Sequence, residues 1–242
     1  KDVLQIVAGH QSFAALKKDG SVVSWGCGED TAPDLKQVHQ IHASSLSFSA
    51  LLKDGSVVTW GHYEVGGDSG GVQDKLRQVQ QILASERGFA AIREDGNAVI
   101  WGHPEFEDAP DQLRHLRHIQ ETERAVAATL EDGSVVTWGN PDCGGDSSAV
   151  QDQLTQVQEI QATTFAFAAI RQDGSVVIWG EPEYGGDGSA VQDKLNHVRQ
   201  ISTNVGSFAA LLEDGSAVTW GHRDFGGDSR CVQDQLRSVQ SI

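Results

Sequence analysis

From Phe208 to Trp220 the chain reads Phe-Ala-Ala-Leu-Leu-Glu-Asp-Gly-Ser-Ala-Val-Thr-Trp, two apolar runs on either side of an Asp-Gly pair. Apolar runs flanking Asp-Gly predict a β-hairpin, in which glycine accepts the positive φ of a type I′ turn and aspartate tolerates it. The second run alternates. Val99, Val136, Val177 and Val218 share a face with the tryptophans two residues on, while Ile100, Thr137, Ile178 and Thr219 face the other way. A period of two is a strand period. Ahead of each hairpin a Val-x-x-Ile segment predicts a further short strand, as at Val38 to Ile41, Val79 to Ile82, Val157 to Ile160 and Val198 to Ile201. The first hairpin strand carries paired alanines, among them Ala14-Ala15, Ala90-Ala91, Ala168-Ala169 and Ala209-Ala210. Alanine is a poor strand former, so its recurrence predicts crowding, as on an inner strand near a propeller axis.

The pattern occurs six times. Trp-Gly pairs begin at Trp25, Trp60, Trp101, Trp138, Trp179 and Trp220, with spacings of 35, 41, 37, 41 and 41 residues. Five residues before each tryptophan stands the glycine of an Asp-Gly pair: Gly20, Gly55, Gly96, Gly133, Gly174 and Gly215. Fourteen residues before each of these glycines stands an isoleucine: Ile6, Ile41, Ile82, Ile119, Ile160 and Ile201. The stretch from isoleucine to tryptophan keeps its length, and all variation follows Trp-Gly, where units 1 and 3 are shortened (Cys27 to Leu35 and Glu107 to Leu113). A fixed stretch beside a variable one divides strands from loops.

The variable segment reads Gly-Gly-Asp-Ser and then Val-Gln-Asp-x-Leu, at Gly66 to Leu76, Gly144 to Leu154, Gly185 to Leu195 (with Gly188 for Ser) and Gly226 to Leu236. Ser148 with Gln151, and Ser189 with Gln192, fit a capping box, which predicts a helical turn or else a short outer strand. Three strands plus this segment, in about 41 residues, fit a propeller blade, with an open β-solenoid as the alternative. The predicted fold is therefore an all-β propeller of six blades, or part of seven. It is expected as one domain, 1–242, with units at about 3–37, 38–78, 79–115, 116–156, 157–197 and 198–238. Val239 to Ile242 ends the chain in the phase at which Val3 to Ile6 begins it, as the start of a further unit or a closing strand.

Val-x-x-Ile, Phe-Ala-Ala-Leu and Asp-Gly-Ser-Val-Val-Thr-Trp-Gly together resemble the repeat of the regulator of chromosome condensation family, over the whole chain. More narrowly, the Asp-Gly-Ser-Val-Val-Thr-Trp-Gly and Gly-Gly-Asp-Ser pieces resemble repeat proteins of dinoflagellate algae that are grouped, by their repeats, with HECT-and-propeller ubiquitin ligases. The family's usual repeat is longer, its propellers normally have seven blades, and its loop reads Gly-Gln-Leu-Gly. The resemblance implies a propeller and a binding role. It does not carry ligase activity here, because no segment matches a catalytic ligase domain. Nucleotide exchange, also known in the family, would need a protruding wedge, and no unit carries an insertion. Light absorption by tryptophan clusters, known in one ultraviolet receptor of the family, needs more than one tryptophan per unit.

Composition narrows the partner. Asp plus Glu number 34 against 18 for Lys plus Arg, a formal net charge of −16. Such a field opposes a nucleic-acid backbone and suits a basic protein partner, or simply solubility. No run of 18 apolar residues exists, so no transmembrane segment is expected. The chain contains no methionine and no recognisable targeting segment, as expected of a processed or trimmed chain. The compartment, cytoplasmic or organellar, is not fixed by the sequence. Cys27, Cys143 and Cys231 make no CxxC pair; Cys143 and Cys231 read as space-fillers in the repeat alignment.

Candidate chemistry is sparse. No nucleophile elbow, His-x-x-x-His pair or phosphate-cradling loop is present, so no catalytic residue, cofactor or metal is assigned and the chain is not expected to be an enzyme. Asp68/Asp74, Asp146/Asp152, Asp187/Asp193 and Asp228/Asp234 recur around glycines, but without the alternate-residue spacing of a calcium loop. They read as caps, with Ca²⁺ binding as the alternative. His62, His103 and His222 share the position after Trp-Gly and read as exposed loop histidines. Units differ most in the four residues after Trp-Gly. A displayed rim of aromatic and charged residues is what interfaces enrich. Tyr63, Phe106, Tyr184, Arg223 and Phe225 are the candidate contacts, and the shortened connections could open a notch beside them. The expected function is a non-catalytic protein-interaction scaffold or accessory subunit of a larger assembly, with an algal organellar or photosynthetic complex and a regulatory propeller of a ubiquitin ligase or exchange factor as narrower variants.

Overall fold

The computed structural model describes residues 2–26, 31–110 and 113–242, without the side chains of Phe106 and Glu107. Each predicted hairpin is present, and Val-x-x-Ile pairs with it as a third strand. Blade 1 is β1 (Val3–Ala8), β2 (Ser12–Lys17) and β3 (Val22–Gly26). Blade 2 is β4 (Val38–Ala43), β5 (Ser47–Leu52) and β6 (Val57–Gly61), and blade 3 is β7 (Val79–Ala84), β8 (Gly88–Arg93) and β9 (Ala98–Gly102). Blade 4 is β10 (Leu116–Glu121), β11 (Ala125–Leu130) and β12 (Val135–Gly139). Blade 5 is β13 (Val157–Ala162), β14 (Ala166–Arg171) and β15 (Val176–Gly180), and blade 6 is β16 (Val198–Thr203), β17 (Ser207–Leu212) and β18 (Ala217–Gly221). These are six three-stranded sheets in sequential order, antiparallel within each blade. Among the described residues no fourth strand joins any of them, and the described segments after Trp-Gly form short 3-10 turns or, in blade 3, the one-turn helix Pro104–Glu107.

By internal packing the chain falls into two units, Lys1–Ile119 and Gln120–Ile242. In both, the cores lie between blades. In the second unit, Ala125, Ala127 and Val135 of blade 4 pack against Ile160, Phe167, Ala169, Val177 and Trp179 of blade 5. On the other side of blade 5, Ala166, Ala168, Ile170 and Val176 pack against Ile201, Phe208, Ala210, Val218 and Trp220 of blade 6. The first unit repeats this between blades 1 and 2 and between blades 2 and 3. The paired alanines are thereby explained. Ala168 and Ala169 point to opposite faces of the central strand of their blade, each against a neighbouring blade. The crowding is real, but it comes from both flanking blades and falls on the middle strand, not on an innermost one.

The tryptophans of five blades are buried, each stacked on its cross-strand phenylalanine where the pair has one, as Phe167 on Trp179 at 5.1 Å. Trp25 is the exception, 48% exposed.

The Asp-Gly turns differ from the type I′ expectation. Lys17 N donates to Ser21 O and Gly20 N donates to Lys17 O, so the loop is Lys18-Asp19-Gly20, a three-residue loop. Only the glycine has positive φ, 76° to 80° in all six turns; no aspartate does. This is a type I turn closed by a left-handed residue. The aspartate is favoured for another reason. Asp19 Oδ1 accepts from Ser21 Oγ at 2.6 Å and Ser21 N at 3.0 Å, which closes the turn through the side chain. The same bonds, the Ser21 hydroxyl first, hold the Asp19 carboxyl below its ordinary range, and Asp54, Asp173 and Asp214 behave alike with Ser56, Ser175 and Ser216.

These turns also join blades. Val38 N donates to Gly20 O, Val79 N to Gly55 O, Val157 N to Gly133 O and Val198 N to Gly174 O, at 2.9 to 3.1 Å. The residue before each of these valines (Gln37, Gln78, Gln156, His197) adopts a left-handed φ of 55° to 60° to make the approach. At the opposite end His10 N donates to Ser45 O, Ser45 N to Glu86 O, Glu123 N to Thr164 O and Thr164 N to Val205 O. Within each unit, consecutive blades are thus pinned at both ends of their strands.

The connecting segment is held by side chains rather than by a capping box. The 3-10 turns at Gln151–Gln153 and Gln192–Lys194 begin after Val150 and Val191, which make no side-chain cap. The serine that acts is Ser147, one residue before the predicted one. Its hydroxyl meets Thr137 Oγ1 at 2.8 Å and donates to Gln151 Oε1 at 2.8 Å, and Gln151 Nε2 donates back to Val135 O. Blade 5 solves the same contact differently. Ile178 stands for the threonine and Gly188 for the serine, and a Cβ on Gly188 would lie 2.3 Å from Ile178 Cδ1.

Candidate binding rim

In the five repeats where these residues are described, the four residues after Trp-Gly form a single short turn, and in four of them a side chain caps it. In three units a residue predicted to be a free loop side chain is the cap: His62 Nδ1 accepts from Glu64 N, His103 Nδ1 from Glu105 N and His222 Nδ1 from Asp224 N, at 3.3 to 3.4 Å. Asn140 Oδ1 does this for Asp142 N at 2.8 Å. Gly66, Gly144, Gly185 and Gly226 end the turns at φ of 91° to 97°. The last carbonyl of each turn is then tied to its own blade. Val65 O accepts from Ser44 Oγ and Ser47 Oγ, Cys143 O from Thr122 Oγ1, Tyr184 O from Thr163 Oγ1, and Phe225 O from Asn204 Nδ2 and Ser207 Oγ, at 2.6 to 3.0 Å. Loops held this way present their side chains with little ordering left to do on binding.

In the second unit the structure brings two of the candidate residues, Tyr184 and Phe225, together. Phe165 meets Tyr184 edge-on with ring centres 4.7 Å apart, Tyr184 lies 6.0 Å from His222, and His222 lies 4.9 Å from Phe225. The rings of Phe225 and Tyr184 converge on Gly206, where an added Cβ would come within 2.7 and 3.2 Å of them. Phe225 is 41% exposed and Arg223 beside it is exposed, while Tyr184 is half-buried. In the first unit Tyr63 is the most exposed of the described aromatic candidates, stacked on His62 at 5.0 Å with its hydroxyl donating to Glu64 Oε1. It lines an open cleft of about 430 Å³ with Glu64, Asp68, Gly71, Gly102, His103 and Pro104. Phe106 belongs to the short helix Pro104–Glu107, but its side chain lies outside the described residues, as does most of the notch expected after Trp25.

Every rim turn carries an acid at one position: Glu64, Glu105, Asp142, Glu183 and Asp224. Behind the rim the aspartates of Gly-Gly-Asp close turns. Asp68, Asp146, Asp187 and Asp228 each accept from the backbone N–H two residues on. That bond, from Ser148 N and Ser189 N, holds the carboxyls of Asp146 and Asp187 below the usual range, and for Asp228 the Arg230 guanidinium acts first. Among the described residues no three His, Cys, Asp or Glu side chains gather as a metal site would need. Cys143 fills the core as expected, whereas Cys231 is exposed, and Cys27 lies outside the described residues. No helix among the described residues is long and apolar enough to cross a membrane.

Sequence reasoning missed Phe165, Gly206 and the capping histidines. Phe165 had a signal, as an aromatic in the turn between the first two strands of its blade. The histidines could have been found as acceptors two residues ahead of an acid.

No family model matches the chain, and no curated protein does. Solved structures give the comparison. Prp20p of Saccharomyces cerevisiae, described with its binding to Gsp1p and histones, superposes at a TM-score of 0.55 with 16% identity, over 90% of this chain and 72% of that one. The fold is that of the RCC1-type propellers. Yeast RCC1 with Kap60 bound gives a TM-score of 0.52 with 18% identity, over 92% of this chain and 70% of that one. The CRINKLY WD40 ectodomain of the Arabidopsis thaliana receptor kinase ACR4 gives 0.50 with 15% identity, over 90% and 79%. At these identities the RCC1-type likeness is one of fold. The narrower likeness to dinoflagellate repeat proteins rests on the sequence pattern alone.

Proposed function

We propose that this RCC1-type chain is a non-catalytic protein-interaction scaffold that binds through the rim after Trp-Gly. The observation that carries the reading is the joined aromatic run Phe165, Tyr184, His222 and Phe225, on turns whose carbonyls at Tyr184 and Phe225 are tied to their own blades, flanked by exposed Arg223. Aromatic side chains on a rigid support are the usual centres of binding energy. In the first unit Tyr63 is proposed as a contact of the same kind, and Phe106 from its place in the sequence. The recurrent rim acids and the net charge of −16 favour a basic protein partner. Two proteins of like fold are described with protein partners, which supports the same class of role here.

The test is affinity capture with mass spectrometry, followed by binding measurements on the captured partner. Tyr184→Ala and Phe225→Ala should each weaken binding at least tenfold with the fold intact, as expected of an aromatic anchor worth about 2 kcal/mol or more. Asp54→Ala and Asp214→Ala, in the turns at the opposite ends of the strands, should leave it unchanged. The reverse ordering would place the interface on the Asp-Gly face and overturn the proposal.

A further inference from the structure

The open cleft of the first unit, about 430 Å³, is lined by the Tyr63–Gly71 segment after blade 2 and the Gly102–Pro104 segment after blade 3. Part of its room comes from glycine. Gly71 stands where Ala149, Ala190 and Cys231 stand in the other long repeats, and a Cβ added to Gly71 would meet no atom within 4 Å. Tyr63 is held ready for contact. His62 stacks on it at 5.0 Å and its hydroxyl donates to Glu64 Oε1 at 3.1 Å, yet the residue is 66% exposed. A ring held on one side and still this exposed loses little freedom on binding.

Two carboxylates line the same cleft, Glu64 and Asp68. Asp68 Oδ1 accepts from Gly70 N, and among the described residues no cation pairs with either carboxylate. Arg87 and His103 are engaged by Glu105 instead, at 3.6 and 3.7 Å. The sixth repeat shows what this aspartate accepts. Asp228 holds the position of Asp68, and the Arg230 guanidinium grips it twice, Nε on Oδ1 at 2.8 Å and Nη2 on Oδ2 at 2.6 Å. Arg223 adds a second positive charge to that site. In the second repeat those two arginine positions are Gly70 and Tyr63. The second repeat thus keeps the acceptor, lacks the internal guanidinium and offers an aromatic ring beside it.

We infer that this cleft receives an arginine side chain of the basic partner, with the guanidinium flat on the Tyr63 ring and its N–H groups donating to Asp68 and Glu64. The inference rests on the rim being the binding surface and names what one part of it binds. Arginine fits better than lysine because a planar fork serves a ring face and a carboxylate together, whereas an ammonium is a compact, strongly hydrated charge.

The probe is the end-blocked peptide Gly-Gly-Arg-Gly-Gly, with lysine or citrulline in place of arginine as comparisons, titrated into the full chain at low salt and followed by amide chemical shifts. Saturable shifts are expected at 62–65, 68–71 and 102–104, with arginine at least about threefold tighter than lysine and citrulline silent. Tyr63→Ala should weaken arginine binding about threefold to fivefold. Gly70→Arg should abolish it by supplying from within the guanidinium that Arg230 gives to Asp228. A Cβ added to Gly70 meets only the Asp68 carboxyl, 3.0 Å away. Gly71→Leu should abolish binding independently by filling the cleft. Asp193→Asn, which removes a carboxylate charge in the second unit, should change nothing. Circular dichroism checks that each variant folds. An absence of saturable shifts, binding that Gly70→Arg and Gly71→Leu leave intact, or lysine held as tightly as arginine would overturn the inference. A captured partner weakened by Tyr184→Ala and Phe225→Ala but indifferent to Gly70→Arg would overturn it too, and would leave the rim reading standing.

Discussion

Trp138 and Trp25 hold the same place in the repeat with opposite surroundings, 5% against 48% exposed. Removing a buried indole leaves a cavity as well as losing its transfer energy, so Trp138→Ala should cost about 3–5 kcal/mol. Trp25→Ala should cost less than about 2 kcal/mol because half of the ring is already in water. Urea midpoints for the two variants check the ordering. Asn140 caps its rim turn by a single side-chain bond, and Asn140→Ala should cost about 1 kcal/mol. His42 is a different case. It stands in β4 opposite Ser49, with its Nε2 cut off from solvent and burial lowering its pKa below the ordinary value. A folded pKa below the unfolded one means that the unfolded chain takes up the proton first. Stability should therefore fall as pH drops below the unfolded value of about 6.5, until the folded pKa is reached. Melting temperatures of His42→Leu against the native chain between neutral and mildly acidic pH should show this slope lost in the variant.

At the scale of the element, blade 5 offers a test of how the connecting segment is fitted. Gly188→Ser alone places a Cβ against Ile178 Cδ1 and should cost about 1–3 kcal/mol as overpacking. With Ile178→Thr added, the pair becomes the Thr–Ser contact seen at Thr137 and Ser147, and most of the loss should return. A double-mutant cycle with no coupling would mean that the two sites relax independently. Much of this layer was legible from the residues. Hairpins, third strands and blade length follow from alternation and from a fixed isoleucine-to-tryptophan distance. What escaped was tertiary. Asp-Gly suits several turns, and the type I turn prevailed because the Asp19 carboxylate closes it through Ser21. The capping box failed by one residue because Ser147 has a better partner across the blade in Thr137. Of the rim, the five candidate positions were visible as the places where units differ. The convergence of Tyr184 and Phe225 on Gly206 was not, because a glycine in a turn carries no sign of the two rings packed on it.

For the whole molecule, repetition itself confines specificity. The framework repeats its hairpins and three-stranded sheets from blade to blade, so on the proposed reading a partner is told apart by what varies, the rim. The rim acids and the net charge of −16 should act mainly on encounter, so that raising salt slows association of a basic partner more than it speeds release. Stopped-flow association rates measured against ionic strength check this. The most direct test of the rim as the binding surface is hydrogen–deuterium exchange of the chain alone and with its captured partner. Protection is predicted at residues 62–65, 103–106, 181–184 and 222–225, with the Asp-Gly turns at 54–55, 132–133 and 214–215 unchanged. Protection confined to those turns, with the rim exchanging as in the free chain, would contradict the account.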